Sequence, residues 1–150
     1  MITLGVRYLL VMLFFPFSAL DKILNFHGAV GQAQEIAPAK SLATALIVAG
    51  LAVEILMPLG VLTGTADRAA AFVMAGYCAV TAVLFKRFWQ PGDFWRKGDS
   101  KARNLFWDFL KNFSLAGGFL LLTFGRVAPD VPGFFAAPFA STHPYAEVSP

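Results

Sequence analysis

LATALIVAGLAVEILMPLGVL, at residues 42–62, is an apolar stretch in which Glu54 is the single charged residue. A helix that crosses a lipid bilayer needs about 17–25 mostly apolar residues, and this stretch falls within that range. Strands are shorter, and no regular alternation of apolar and polar residues runs through it. Backbone groups inside a bilayer must also be satisfied within the segment, as a helix does. The stretch therefore predicts a membrane-spanning helix.

Three further apolar stretches lie at residues 4–20, 69–85 and 105–124. Hydrophobic residues make up 57% of the 150 residues and charged residues only 14%, whereas soluble domains carry about 25% charged residues. This length allows one domain. The sequence predicts an all-α fold: a membrane-embedded four-helix bundle with short loops, followed by an irregular Pro-rich C-terminal tail.

Two other interpretations of these stretches are a cleaved signal peptide at residues 4–20 and a very apolar soluble helical bundle. A signal peptide has a basic segment before its apolar stretch and a small-residue cleavage pattern after it. Neither is found here; Asp21 and Lys22 follow instead, as at a helix end that reaches water. We therefore expect the first stretch to be a span.

The distribution of Lys and Arg predicts the orientation, because basic residues are enriched in cytoplasmic loops. With four spans, both termini and the second loop share one side of the membrane. The first and third loops contain eight basic residues, whereas the opposite side contains three when Arg7 is counted. The sequence predicts a multi-pass protein with both termini outside.

The third loop, KRFWQPGDFWRKGDSKAR at residues 86–103, mixes basic and aromatic side chains. Trp beside Lys and Arg is typical of the membrane–water interface, where lipid headgroups meet the amphipathic ring. We expect an interfacial anchor on anionic lipid, formed by Trp89, Trp95, Arg96 and Lys97. A docking surface for a cytoplasmic partner is the alternative.

Several other chemistries lack support in the sequence. The single cysteine, Cys78, excludes an internal disulfide and a CxxC redox pair, and no CxxCH motif offers covalent haem attachment. His27 and His143 fall on opposite sides of the membrane in the predicted topology, so we expect no metal site. No Gly-rich phosphate loop follows a strand, and we expect no nucleic-acid partner.

Polar residues within the spans carry a family resemblance. The first span has an Arg early in the helix, then Phe and a small residue, then Lys at its end: Arg7, Phe15, Ser18 and Lys22. The second span carries Glu54 and leads into a short Gly-containing turn, and the fourth reads FWDFLKNFSLAGGFLLL. In this order the residues resemble the DoxX family of small four-helix membrane proteins.

The resemblance implies an architecture and a cellular setting. It covers residues 4–125, so we expect a DoxX-like transmembrane domain at residues 1–125 and a Pro- and Phe-rich tail at residues 126–150. DoxX-like proteins are associated with membrane redox systems, including quinone-linked ones, which implies the bacterial cytoplasmic (inner) membrane. The family name by itself transfers no catalytic mechanism.

The function implied by the resemblance is an integral membrane accessory subunit or anchor of a redox complex. Its partners would be membrane lipid and another redox protein or a second copy, with quinone as a ligand and no covalently bound cofactor. The alternatives are a stand-alone membrane enzyme or small-molecule carrier, and a membrane assembly chaperone. Catalytic residues are not assigned; if the chain is an enzyme, we expect a quinone-linked oxidoreductase.

Arg7 and Glu54 are the two charges expected inside the membrane. An unpaired carboxylate near the midplane is strongly unfavourable, so Glu54 should be protonated or paired. At about 1.5 Å per residue the two residues differ by roughly 12 Å in depth, much of which an Arg side chain can cover. We expect Arg7 to pair with Glu54, either as a structural ion pair or as a site for a proton or quinone headgroup.

A second charged network is expected at the inner membrane surface. Asp108 and Lys111 are three residues apart on one helix, and Asn104 lies one turn earlier on the same stripe. The first span ends at the same depth with Asp21 and Lys22. The charges allow either crossed pairs, Asp21 with Lys111 and Lys22 with Asp108, or the local Asp108–Lys111 pair, in a network that is either structural or a substrate or partner site.

Overall fold

The structure is a computed structural model that describes residues 2–125 and 130–145. Helices dominate these residues, and no strand occurs among them, so the all-α prediction is confirmed. The helices are α1 (Ile2–Met12), α2 (Phe15–Leu24), α3 (Phe26–Gln34), α4 (Lys40–Thr63), α5 (Asp67–Phe85), α6 (Lys101–Phe124) and α7 (Asp130–Ala136).

Four segments are long and apolar enough to cross a membrane, which confirms the predicted number of spans. Each begins earlier than its predicted stretch, and for the third span the added residues include Asp67. We call the segments span 1 (Ile2–Leu24), span 2 (Lys40–Thr63), span 3 (Asp67–Phe85) and span 4 (Lys101–Phe124).

Span 1 consists of two helices because of Pro16. Proline has no backbone N–H to bond the carbonyl four residues earlier, and its ring crowds that carbonyl. α1 accordingly ends at Met12, and α2 begins at Phe15 with Pro16 in its first turn, where proline is tolerated. Only Asn25 then separates α2 from α3.

One end of the molecule is tightly packed. Span 2 contacts α1, α2, α3 and α5, and α5 packs along α6. The largest buried cluster contains side chains of all four spans, among them Val11, Phe15, Val61, Met74 and Phe119. The rings of Phe15 and Phe119 are 5.7 Å apart between centroids. We call this part, with the start of span 1 and the link between spans 2 and 3, the closed half.

The other end is open. Here α3 packs on the beginning of span 2 through a small cluster of Val30, Ala33, Ala43 and Ile47. A cavity of about 540 Å³ is bordered by α2 and α3 and by spans 2, 3 and 4. We call this part, which contains the end of span 1, the open half.

The outer surfaces of the spans are apolar. Leu9 is 58% exposed, Phe17 67% and Leu121 72%. Contiguous exposed apolar surface of this kind is unfavourable in water but matches the hydrocarbon of a bilayer. The side chains therefore face lipid where a soluble protein would carry charge.

The tail folds back onto the closed half. Phe134 of α7 is 3% exposed and lies 5.1 Å from the Phe72 ring and 5.3 Å from the Phe124 ring. The hydroxyl of Tyr145 donates to the carbonyl of Leu62 at the end of span 2. Gly64 follows span 2; its φ of 78° favours glycine, and an added Cβ would lie 2.9 Å from Pro144 of the tail.

Candidate functional site

The Glu54 carboxylate is the centre of a polar cluster in the open half. Glu54 is 2% exposed, yet each of its oxygens has a donor. Lys22 Nζ lies 2.8 Å from Oε1 and 2.9 Å from Oε2. The hydroxyls of Ser18 and Tyr77 each donate to Oε1 at 2.9 Å. Spans 1, 2 and 3 therefore meet at one carboxylate.

Lys22 reaches this position because of the direction of helical side chains. Cα–Cβ bonds tilt toward the helix N-terminus, so a lysine at the end of α2 extends back into the structure. On the way its Nζ donates to Ser18 Oγ, one turn earlier, at 2.8 Å. The prediction that Lys22 pairs with Asp108 is therefore wrong, since its ammonium lies beside Glu54.

Tyr77 comes from the span that carries no charge after its first turn. Its ring packs against Gly50, where an added Cβ would lie 3.4 Å from the hydroxyl oxygen. Gly50 is one turn before Glu54, so the phenol lies against span 2 close to the carboxylate. A Cβ at Gly50 would make an ordinary van der Waals contact with the phenol, so the packing does not by itself require glycine.

The cavity of about 540 Å³ has the Glu54 cluster on its wall. A mostly apolar lining with few polar groups is typical of small-molecule sites, whose volumes are about 300–1,000 Å³. The apolar lining includes Phe14, Phe15, Leu46, Ile47 and Phe85, and the polar lining includes Ser18, Lys22, Glu54, Tyr77, Thr81 and Asn112. The arrangement can hold a ligand of mixed character beside groups that bind or release protons.

Arg7 is buried, as expected, but its partner is Asp67. Arg7 Nη2 lies 2.7 Å from Asp67 Oδ2, and the two side chains are 4% and 1% exposed. Arg7 Nη1 also donates to the carbonyl of Val61 at 2.6 Å. The predicted Arg7–Glu54 pair is wrong because the short link between spans 2 and 3 brings Asp67 to the level of Arg7.

Thr142 of the tail completes the Arg7 cluster. Its backbone N–H donates to Asp67 Oδ1 at 2.9 Å, and its hydroxyl donates to Oδ2. The same hydroxyl oxygen accepts from Arg7 Nη2 at 2.9 Å. Arg7 Nε is buried without a hydrogen-bond partner among the described residues. Residues from span 1, span 3 and the tail thus form one buried unit.

The network expected at the inner surface is smaller than predicted. Asp108 Oδ1 lies 2.9 Å from Lys111 Nζ, and Asp108 Oδ2 lies 3.0 Å from Nζ of Lys86, the residue after α5. Lys111 also lies over the ring of Phe14, 5.2 Å from its centroid. Asp108 therefore pairs with Lys86 instead of Lys22, and Lys111 pairs with Asp108 instead of Asp21. The crossed pairs are wrong.

Asp21 and Asn104, the other members of that predicted network, are exposed. Asp21 lines the cavity and makes no ion pair with a described residue. Asn104 lies in the first turn of α6, where its backbone N–H bonds to the carbonyl of Ser100. Both residues lie at a helix end, so water can satisfy their side chains.

The third loop places the four residues of the predicted anchor on its surface. Trp95 is 90% and Trp89 53% exposed, and Arg96 and Lys97 are exposed as well. Arg103 fixes the loop from below, donating to the carbonyls of Phe94 at 2.7 Å and of Arg96 at 2.6 Å. Its guanidinium is thus engaged with the backbone.

Asp93, in the middle of this loop, joins it to the beginning of span 4. Its carboxylate accepts the backbone N–H groups of Ala102 at 2.9 Å and Lys101 at 2.8 Å. These bonds, the one from Ala102 first, hold the pKa of Asp93 below its ordinary value. The described residues contain no group of three His, Cys, Asp or Glu side chains arranged to hold a metal.

Four site residues were missed by sequence reasoning. Asp67 lay just outside the predicted third span, although an acidic residue beside an apolar stretch was a usable signal. Tyr77 also had a usable signal, because its hydroxyl needs a hydrogen-bond partner inside a predicted span that has no charged residue. Thr142 and Asn112 carried no separate signal of a buried role.

Comparison with known proteins gives one match. The family model of DoxX matches residues 2–87, which contain spans 1, 2 and 3. The pattern FLKN in span 4 lies beyond the matched residues. The searches of curated proteins and of solved structures found no match.

Proposed function

Because this chain belongs to the DoxX family, we propose that it is an integral membrane subunit of a quinone-linked redox complex. The chain is an integral membrane protein with four apolar spans. In this proposal the spans form a membrane-embedded bundle, and the cavity of the open half receives the quinone headgroup. Membrane lipid and a second redox protein are its partners.

The observation that carries the proposal is the Lys22–Glu54–Tyr77 cluster on the wall of a cavity of about 540 Å³. A quinone is an apolar ring with two polar oxygens, so it fits a lining that is apolar except at one wall. When bound, it supplies two-electron, two-proton chemistry. Glu54, Tyr77 and Lys22 are the groups of this chain that can hold or move protons beside it.

A partner is part of the proposal because the chain has no electron carrier motif of its own. It lacks a CxxC pair and a CxxCH motif, and Cys78 is a single buried thiol. We therefore place the electron donor on another protein. The Trp89, Trp95, Arg96 and Lys97 surface would anchor the complex on anionic lipid headgroups.

A membrane carrier for a small polar molecule is the second candidate. It is favoured by one observation: Lys22 is 24% exposed in an otherwise buried pair, so the pair is reached from the cavity. A carrier would exchange its ligand between two sides of the membrane, whereas the redox subunit would retain quinone and a partner. Reconstituted transport in vesicles without a partner would favour the carrier.

Binding of a quinone analogue tests the redox proposal. The protein in lipid nanodiscs should bind decylubiquinone beyond the amount that partitions into empty nanodiscs. Glu54→Gln and Tyr77→Phe should each weaken that binding, since they alter the polar wall. Tyr8→Phe, which alters an exposed tyrosine of span 1 outside the cavity lining, is the matched control. Absence of specific binding by the unaltered protein would contradict the proposal.

Co-purification tests the subunit role. In mild detergent a redox protein should accompany the chain in fixed stoichiometry, identified by mass spectrometry. A homogeneous assembly of this chain alone, with full quinone-dependent activity, would contradict the subunit role and support a stand-alone enzyme. Recovery with many unrelated membrane proteins in varying amounts would support an assembly chaperone.

The proposed location is the bacterial inner membrane with both termini outside. In a Cys78→Ala background, a cysteine at Ala140 should react with an impermeant maleimide in intact cells, and one at Asp99 should react only after the membrane is opened. Both positions are exposed, whereas the neighbouring Ser100 is 3% exposed and unsuitable. The reverse labelling pattern would overturn the orientation.

A further inference from the structure

Asn112 is a buried amide without a partner inside the cavity. It lies in the middle of span 4, is 6% exposed and lines the cavity. Its side chain makes no hydrogen bond to any residue that the structure describes. Buried amides in native proteins are almost always paired, so this one is available to whatever the cavity holds.

The rest of the buried polar wall is already satisfied. An ammonium has three protons, and those of Lys22 go to Ser18 and to the two oxygens of Glu54. The hydroxyl protons of Ser18 and Tyr77 also go to Glu54. The Thr81 hydroxyl donates to the carbonyl of residue 77 at 2.8 Å. Asn25 and Gln32 also line the cavity, but their amides are exposed, so among the buried side chains a ligand oxygen that needs a donor finds it on Asn112.

We propose that Asn112 is the residue of the cavity that binds the polar oxygen of the ligand, and that it does so in both redox states. This inference rests on the proposed function. An amide carries an NH₂ donor and a carbonyl acceptor, and it can present either after a half-turn of its side chain. A quinone oxygen accepts from the NH₂, and the hydroxyl of the reduced quinol donates to the carbonyl.

The consequence is a site that does not discriminate strongly between quinone and quinol. A lysine or a carboxylate on its own would favour one of the two states, because each offers only donors or only acceptors when charged. A neutral amide lets the oxidised form enter and the reduced form leave without rearranging Glu54. Asn112 thus suits a site of exchange with the membrane pool.

Paired titrations with decylubiquinone and its reduced quinol test this role in lipid nanodiscs. Asn112→Leu should weaken both by about tenfold, the loss expected for one hydrogen bond. Asn104→Leu is the matched control, because Asn104 is an exposed amide on the same helix. Asn112→Ala should behave as Asn112→Leu does, which separates loss of the amide from crowding by a new side chain. Decylbenzene, which has no oxygen, should bind equally to all four proteins.

The outcomes distinguish this inference from the proposed function. If the unaltered protein binds neither ligand, both the proposed function and the inference on Asn112 are contradicted. If it binds both, and Glu54→Gln weakens them while the two Asn112 variants do not, the inference alone is overturned. Loss of only the oxidised or only the reduced ligand in the Asn112 variants also overturns it, since the amide would then serve one state.

Discussion

The two buried ion pairs of this protein differ in what surrounds them. Arg7 and Asp67, in the closed half, are 4% and 1% exposed and are bonded to backbone and to Thr142. In the open half Glu54 is equally buried, but Lys22 is 24% exposed and faces a cavity. One pair is sealed by protein and the other is reached from a cavity.

The choice of cation follows this difference. Arginine has a rigid fork of donors that can bond several fixed acceptors at once, and Arg7 bonds a carboxylate, a hydroxyl and a backbone carbonyl. Lysine is a compact charge on a flexible stem, and Lys22 can turn from Glu54 toward the cavity. The closed half thus uses its pair to join chain segments, and the open half keeps its pair adjustable.

The largest effect should come from the sealed pair. Asp67→Asn leaves the Arg7 guanidinium buried without a compensating charge, so the free energy of unfolding should fall by about 3–5 kcal/mol. Unfolding in detergent, followed by circular dichroism, measures this. The double variant Arg7→Met with Asp67→Leu should recover a large part of the loss. No recovery would mean that the charges themselves are not what the closed half depends on.

A smaller and unequal effect is expected at the open pair. Lys22→Met leaves the carboxylate of Glu54 uncompensated and should destabilise by about 2–3 kcal/mol, because Ser18 and Tyr77 still donate to it. Glu54→Gln leaves Lys22 free to turn to the cavity and should lose only about 1 kcal/mol. The same unfolding measurement compares the two. Equal losses would show that Lys22 is as sealed as Arg7.

Thr142 should contribute less than either ion pair. Thr142→Val keeps the shape and the backbone N–H but removes the hydroxyl between Arg7 and Asp67, at a loss of about 1–2 kcal/mol. Thr142→Ser is the matched control and should retain most of the stability. Limited proteolysis of the tail should accelerate in the Val variant only. Equal cleavage of both variants would show that the hydroxyl of Thr142 does not hold the tail in place.

The smallest effect is expected at Asp108. This carboxylate is 38% exposed, and its partners Lys86 and Lys111 are 31% and 49% exposed, so solvent screens the network. Asp108→Asn should lower the free energy of unfolding by less than about 1 kcal/mol. A loss as large as that of Asp67→Asn would show that exposure does not rank the ion pairs of this protein.

The sequence was sufficient for the spans but not for the pairs. Long apolar stretches predict membrane helices because a helix satisfies its own backbone hydrogen bonds where lipid offers no partner. The partner of Arg7 depended on where span 3 begins, and hydropathy placed that boundary after Asp67. Counting residues from helix ends gives depth at about 1.5 Å per residue, but it gives neither rotation nor side-chain direction.

The candidate site shows the same division. Glu54 was recognisable as a buried carboxylate because a charged residue facing lipid is strongly unfavourable, so a charge within a span faces the protein interior and has a partner. Lys22 was assigned to the surface because its backbone lies at a helix end, although its side chain extends toward the middle. Asn112 depends on which face of span 4 meets the cavity, which only the packing of the other spans determines.

The two halves must also be finished at different times during synthesis. Glu54 follows Lys22 by 32 residues, so the pair of the open half can form once the second span is inserted. Thr142 follows Arg7 by 135 residues, and Asp67 belongs to the third span. A charged side chain at the centre of a span adds about 2.5–3.5 kcal/mol on translocon scales, but Arg7 lies near the start of span 1, and its side chain can extend to the interface until its partners are inserted. The part of the molecule that is translated first is therefore the part whose assembly is completed last.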